Sequence, residues 1–137
     1  MSSPSAEILV VFDEGGITGH PDHRAATAAA LLAAAHRQLP VLAWAVPEQV
    51  ARTLNAEHGT SFVGRRDNEV DFVITIDRHR QRQAIACHAS QSVDNPVLWR
   101  RLELSGAFES LRWLQPPPGV AETPEHTADN PGFDDRA

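Results

Sequence analysis

The chain has 137 residues, 42% of them apolar, and a net charge of -6. That length suits one small domain, and the mild acidity excludes a general attraction to nucleic acid or to anionic membrane. All twelve basic residues are arginine and Cys87 is the single cysteine, which excludes lysine nucleophiles, an intrachain disulfide and cysteine-rich zinc sites.

In chain order, residues 1–6 are polar and are expected to be loose. MSSPSAEILVVF lacks the basic and long apolar regions of a secretory signal, and no apolar run approaches the roughly 20 residues that span a bilayer. With a lone cysteine, a cytoplasmic location is the expectation. The run EILVVF (7–12) is short, apolar and β-branched, the pattern of a buried strand. A glycine-rich loop follows, from Asp13 to Gly19. Pro21 suits a first helical position, with His20 as the N-cap and Asp22 in the first turn. The alanine-rich helix then runs to about Leu39, where Pro40 stops it.

VLAWAV (41–46) reads as a second strand. Pro47 opens a second helix and Gly59 closes it. Two short β-like pieces lie near Ser61–Gly64 and Asp71–Ile76, and Asp77 can cap a third helix. Residues 96–114 are read as helix with loop. Residues 115–137 are proline-rich, carry five carboxylates against one arginine, and are expected to form a disordered acidic tail. The body before that tail is only about two charges negative. Alternating strands and helices predict an α/β fold, three-layered, with a mostly parallel sheet flanked by helices, over residues 7–114.

The chemistry concentrates in GGITGHPDHRAAT (15–27). In α/β folds ligands bind beyond the carboxyl ends of strands, beside helix N-termini. His20 and His23 lie at such an end, with Asp22 between them placed to orient an imidazole. Three readings of these residues stay open. One is metal chemistry. Another is a phosphate-binding glycine loop, although GGITG lacks the G-x-G-x-x-G spacing. The last is purely structural, with His20 as a helix cap and His23 as a solvated side chain.

DEGGITGHPDHRAA resembles the second signature of the PIG-L/LmbE-like de-N-acetylases, zinc hydrolases that remove an acyl group from an amino-sugar nitrogen. VDFVITIDRHRQRQAIACHASQS is similar to a later strand and helix of that family ending in His-x-Ser-Gln, and the two matches together span about residues 8–92. The resemblance implies a partial Rossmann-like fold of LmbE type. It implies that His23 is a zinc ligand, that His20 is a catalytic residue acting as oxyanion stabiliser or general acid, and that Asp22 supports the pair in catalysis. His88 and Gln91 match the later motif, for which a structural role is expected. Cys87 reads as a small packing residue, and His36, His58, His79 and His126 match nothing in the pattern.

The family's first motif, Ala-His-Pro-Asp-Asp, supplies two further zinc ligands and the general base. It is absent here, since the one His-Pro-Asp is residues 20–22. The resemblance therefore implies a truncated or split zinc-dependent hydrolase of N-acyl (acetyl) amino-sugar conjugates, inactive as this chain alone. Its expected partners are an N-acyl amino-sugar small molecule and a chain supplying the N-terminal half. The alternative is a non-catalytic sugar- or phosphate-binding module, or a partner subunit, that keeps the pocket without the metal. Asp13, Glu14 and Asp22 are the carboxylates near enough in sequence to substitute for the absent groups.

Overall fold

The computed structural model describes residues 5–120. Strand β1 (Leu9–Phe12) pairs in parallel with β2 (Val41–Pro47), from Leu9 opposite Val41 to Phe12 opposite Trp44. Between them run a distorted one-turn helix, α1 (Gly16–Gly19), and the long α2 (Pro21–Arg37). Helix α3 (Glu48–His58) leaves β2 directly from Pro47 and ends at left-handed Gly59. The two-residue β3 (Gly64–Arg65) pairs in parallel with the end of β2. Then come β4 (Phe72–Thr75), α4 (Arg78–Ala86), the one-turn α5 (Ala89–Ser92), α6 (Pro96–Ser105) and β5 (Phe108–Gln115).

The sheet order is β1-β2-β5-β4, with β3 on β2. Strand β5 runs antiparallel to both β2 and β4. The fold is thus α/β with a mixed sheet, rather than the mostly parallel one expected. The cause is local: residues 108–115, at the end of the stretch read from sequence as helix with loop, return as a strand in the opposite sense between β2 and β4. The sequence FESLRWLQ carries no β-branched residue, and Phe108 and Trp113 are its only strong strand formers, so pairing on both sides contributes much of its strand state.

The predicted boundaries of the first elements hold closely. The His20 side chain accepts a hydrogen bond from the Asp22 amide, and Pro21 opens α2. Asp77 accepts from the amides of His79 and Arg80 and so caps α4. That helix ends sooner than its sequence pattern suggests, with Cys87 and His88 between it and α5. Gln115, placed by the sequence in the tail, belongs to β5. Residues 121–137 lie outside the described part, as do residues 1–4.

The core gathers at the carboxyl ends of the parallel strands. Ile17, Val46, Val50, Ala51, Leu54 and Phe62 form one buried cluster, against which Phe12, Trp44, Val97 and Leu104 pack. The glycine loop therefore enters the core through Ile17 instead of lying on the surface. Helix α2 contributes little, since Thr27 and Ala34 are its buried residues. Thr27 ties it to β1 by donating to the Phe12 carbonyl at 2.9 Å.

Candidate functional site: the glycine loop and its two histidines

Asp13 sets the base of the loop. It is 1% exposed, and its carboxylate accepts from Arg65 at 2.5 Å and from Arg112 at 3.0 Å. A carboxylate held by two guanidiniums has its lone pairs committed, so it is poorly placed to act as a base or a metal ligand. Glu14 is solvent-exposed, with its carboxylate 3.8 Å from Arg112.

Beyond Asp13 the chain turns sharply. Gly16, Ile17 and Gly19 have φ of +69°, +63° and +74°. For a β-branched residue such as Ile17 this is a strained conformation, held here by burial of its side chain and by the Val63 amide donating to its carbonyl at 3.0 Å. Asn55 fixes the facing segment: it donates to the Phe62 carbonyl at 3.0 Å and accepts from the Phe62 amide at 2.8 Å. Gly15 is required by close approach, since a Cβ there would stand 2.7 Å from the Val63 side chain.

The loop delivers the Gly16 carbonyl to His23, whose Nδ1 lies 3.0 Å from it. A carbonyl only accepts, so His23 Nδ1 carries a proton, and in the neutral ring it is Nε2 that presents a lone pair. The ring is stacked on Phe12 at 4.0 Å with an 18° interplanar angle. His20 has the opposite arrangement. Its Nδ1 accepts from the Asp22 amide at 3.2 Å, which leaves the proton on Nε2 as an outward donor. The two rings are 5.1 Å apart. One fold element thus presents an acceptor imidazole beside a donor imidazole.

Asp22 is not gathered with them. Its side chain is 89% exposed and its carboxylate is 4.0 Å from His20 Nδ1, too long for a hydrogen bond. The contribution of Asp22 to this corner is its backbone N–H. His88 and Gln91 lie at the α4–α5 junction, where the His88 carbonyl accepts from the Gln91 and Ser92 amides. Both side chains are exposed, as is that of Cys87. His126 lies outside the described residues.

His23 opens into a cavity of about 270 Å³ walled by Ile17, Trp44, Phe62, Val97, Leu98 and Arg101. A larger cleft, about 360 Å³, runs along β4 and contains none of the predicted residues. Trp44 and Arg101, two of the lining residues, belong to a constellation that sequence reading missed and that extends outside the cavity to Glu109 and Arg78. Glu109 accepts from Trp44 Nε1 at 2.6 Å, from Arg78 at 2.6 Å and from Arg101 at 3.4 Å. The Arg101 guanidinium also lies 4.4 Å above the Trp44 ring. Burial pushes the Glu109 carboxyl up, but the Trp44 hydrogen bond and the two guanidiniums outweigh it and hold it below the usual carboxylate range. Burial acts on Arg101 in the other sense and lowers its affinity for the proton, with Glu109 opposing. One sequence signal pointed this way: Val97, Leu98, Arg101 and Leu102 fall on neighbouring rows of α6, so a charge sits inside an apolar stripe.

The described donors, as placed, do not fit a complete catalytic zinc site. His23 offers one lone pair in the arrangement typical of a metal-bound imidazole, its other nitrogen held by a carbonyl. Among the described residues no three His, Cys, Asp or Glu side chains come together in metal-binding range, whereas catalytic zinc takes three protein ligands. Also among the described residues, no helix is long and apolar enough to cross a membrane. Comparison of the chain with protein-family models, with curated proteins and with solved structures found no match.

Proposed function

We propose that this chain is the C-terminal half of a zinc-dependent de-N-acetylase of PIG-L/LmbE type, completed by a segment carrying the Ala-His-Pro-Asp-Asp motif, in cis or on a partner chain. The finished enzyme would hydrolyse the N-acyl group of an amino-sugar conjugate. The three-layer, Rossmann-like arrangement belongs to this proposal, as do zinc as the cofactor and a cytoplasmic setting. The observation that carries the reading is the complementary pair of imidazoles. His23 offers a lone pair to a metal, while His20 offers an N–H to the oxygen that becomes negative when an amide carbonyl is attacked. Neither ring has to change tautomer to play its part.

The incomplete surface supports the same reading. Strand β1 is at the edge of the sheet, with Val10 66% exposed. Beside it an apolar groove of about 330 Å³ runs between β1 and α2, lined by Val10, Val11, Phe12, Ala26, Thr27 and Trp44. Leu32 on α2 is 70% exposed. An apolar edge that is unpaired among the described residues, next to a barely buried helix, suits the addition of further strands.

The test is metal content. The chain mixed with, or fused to, a polypeptide bearing the Ala-His-Pro-Asp-Asp half should retain one equivalent of zinc after dialysis, and the same pair with His23→Ala should lose it. A completed pair that holds no zinc, or holds it equally well without His23, would overturn the proposal. The second reading, a binding module without metal, draws on the Arg101 wall of the cavity.

A further inference from the structure

Charge is unevenly shared at the back of the His23 cavity. Glu109 is a single carboxylate facing two guanidiniums, those of Arg78 and Arg101. Arg78 is well satisfied. Besides Glu109 it donates to the carbonyls of Gly106 and Phe108, at 2.5 and 2.8 Å, and to Gln81. Arg101 is not. Its side chain is 7% exposed, yet among the described residues its one acceptor is Glu109, at 3.4 Å. Its other N–H groups keep some contact with solvent, since the fully buried side-chain polar atom without a partner among the described residues is Arg112 Nε.

Arg101 lines the cavity, and among the described residues no carboxylate lines it. His23 is the other ionisable group there. Helix α6 adds to the same sign of potential, because its first turn, from Asn95 to Leu98, opens on this space. The guanidinium carbon lies 4.4 Å from the Trp44 ring centroid, a cation–π contact that covers one side of the group. The rest of the lining is the apolar Ile17, Phe62, Val97 and Leu98 with the polar Thr18 and Asn95.

We propose that the His23 cavity binds a small ligand bearing one oxyanionic group, a carboxylate or a phosphate, and that the Arg101 guanidinium holds that group. This rests on the reading of the cavity as the ligand site, but it requires neither zinc nor turnover. Arg101 is then a specificity residue, fixing the charged end of a substrate while the apolar walls and His23 face the rest. In a low-dielectric wall the interaction is stronger than the same pair in water.

The experiment uses the full chain, stripped of metal with chelator, and follows binding by calorimetry and by tryptophan fluorescence, to which Trp44 in the cavity wall contributes. The probes are N-acetylglucosamine 6-phosphate, N-acetylmuramic acid and uncharged N-acetylglucosamine. At least one anionic sugar should bind tenfold or more tightly than the uncharged one, and which of the two does so identifies phosphate or carboxylate as the group. Arg101→Met should remove that preference, while Arg100→Met, on the exposed face beside Glu57, should keep it. Equal binding of all three sugars, or an unchanged preference in Arg101→Met, would overturn the proposal. If Arg101→Met does not fold, the comparison among sugars with the unaltered chain decides alone. Anion binding without zinc uptake in the completed pair would sink the de-N-acetylase reading and leave this one standing. Zinc uptake without anion preference would do the reverse.

Discussion

At the scale of single residues, the proposed chemistry depends on which nitrogen of each histidine is committed. His20→Ala in the completed pair should keep zinc but lose rate, by about 10²–10³-fold, the loss typical of removing one oxyanion donor. Asp22→Ala should matter far less, because its carboxylate reaches neither ring and its backbone N–H remains; steady-state kinetics on both variants checks the contrast. Glu109 makes a separate prediction. Its carboxyl is depressed below the ordinary 4.5 in the folded chain, so its stabilising effect is full above that value and fades as pH falls through the lower folded one. Glu109→Gln should cost about 3 kcal/mol at neutral pH by leaving two guanidiniums short of a partner. In urea melts the gap between variant and parent should be level above roughly pH 5 and should narrow below it. A gap that widens in acid would reverse the assignment. The two histidines were legible in the sequence, because a glycine loop and a proline announce the helix start they occupy. The orientation of Asp22 was not, since an exposed carboxylate and an inward one leave the same letters. The Trp44, Arg101 and Glu109 contacts were hidden for another reason: β2, α6 and β5 bring them together only through space.

At the scale of elements, the capped helices follow from local chemistry. Pro21, Gly59 and Asp77 each meet a backbone requirement at the position they hold. Strand β5 shows where local chemistry stops. Its state depends on β2 and β4, and with it goes the direction of half the sheet pairings. The packing of β3 on α3 gives a sharp prediction. A Cβ on Gly64 would stand 2.6 Å from the Glu48 Cα and 2.8 Å from the Ala51 Cβ, both parts of the helix itself. Gly64→Ala should therefore destabilise by about 1–3 kcal/mol through overpacking, read as a lowered midpoint in thermal or urea unfolding. Gly59→Ala meets no neighbouring atom and should cost only the left-handed conformation of that cap. Equal losses at the two sites would show that helix α3 yields where the account holds it rigid.

At the scale of the whole molecule, apolar surface remains at both ends of the sheet. Val10 is open on β1, and Phe72, Val73 and Ile74 are exposed on β4. If β1 is the edge that receives the other half, Val10→Arg should change the isolated chain by no more than about 0.5 kcal/mol, as for other exposed positions, yet weaken assembly at least tenfold. Sedimentation of the mixed halves would record the difference. The most direct measurement of the central claim is zinc-dependent release of acetate from an N-acetylglucosaminide, by the chain alone and by the completed pair. The account predicts no turnover from the chain alone and turnover from the pair, abolished by His23→Ala. Turnover by the chain alone, or a zinc-loaded pair that releases no acetate, would contradict it.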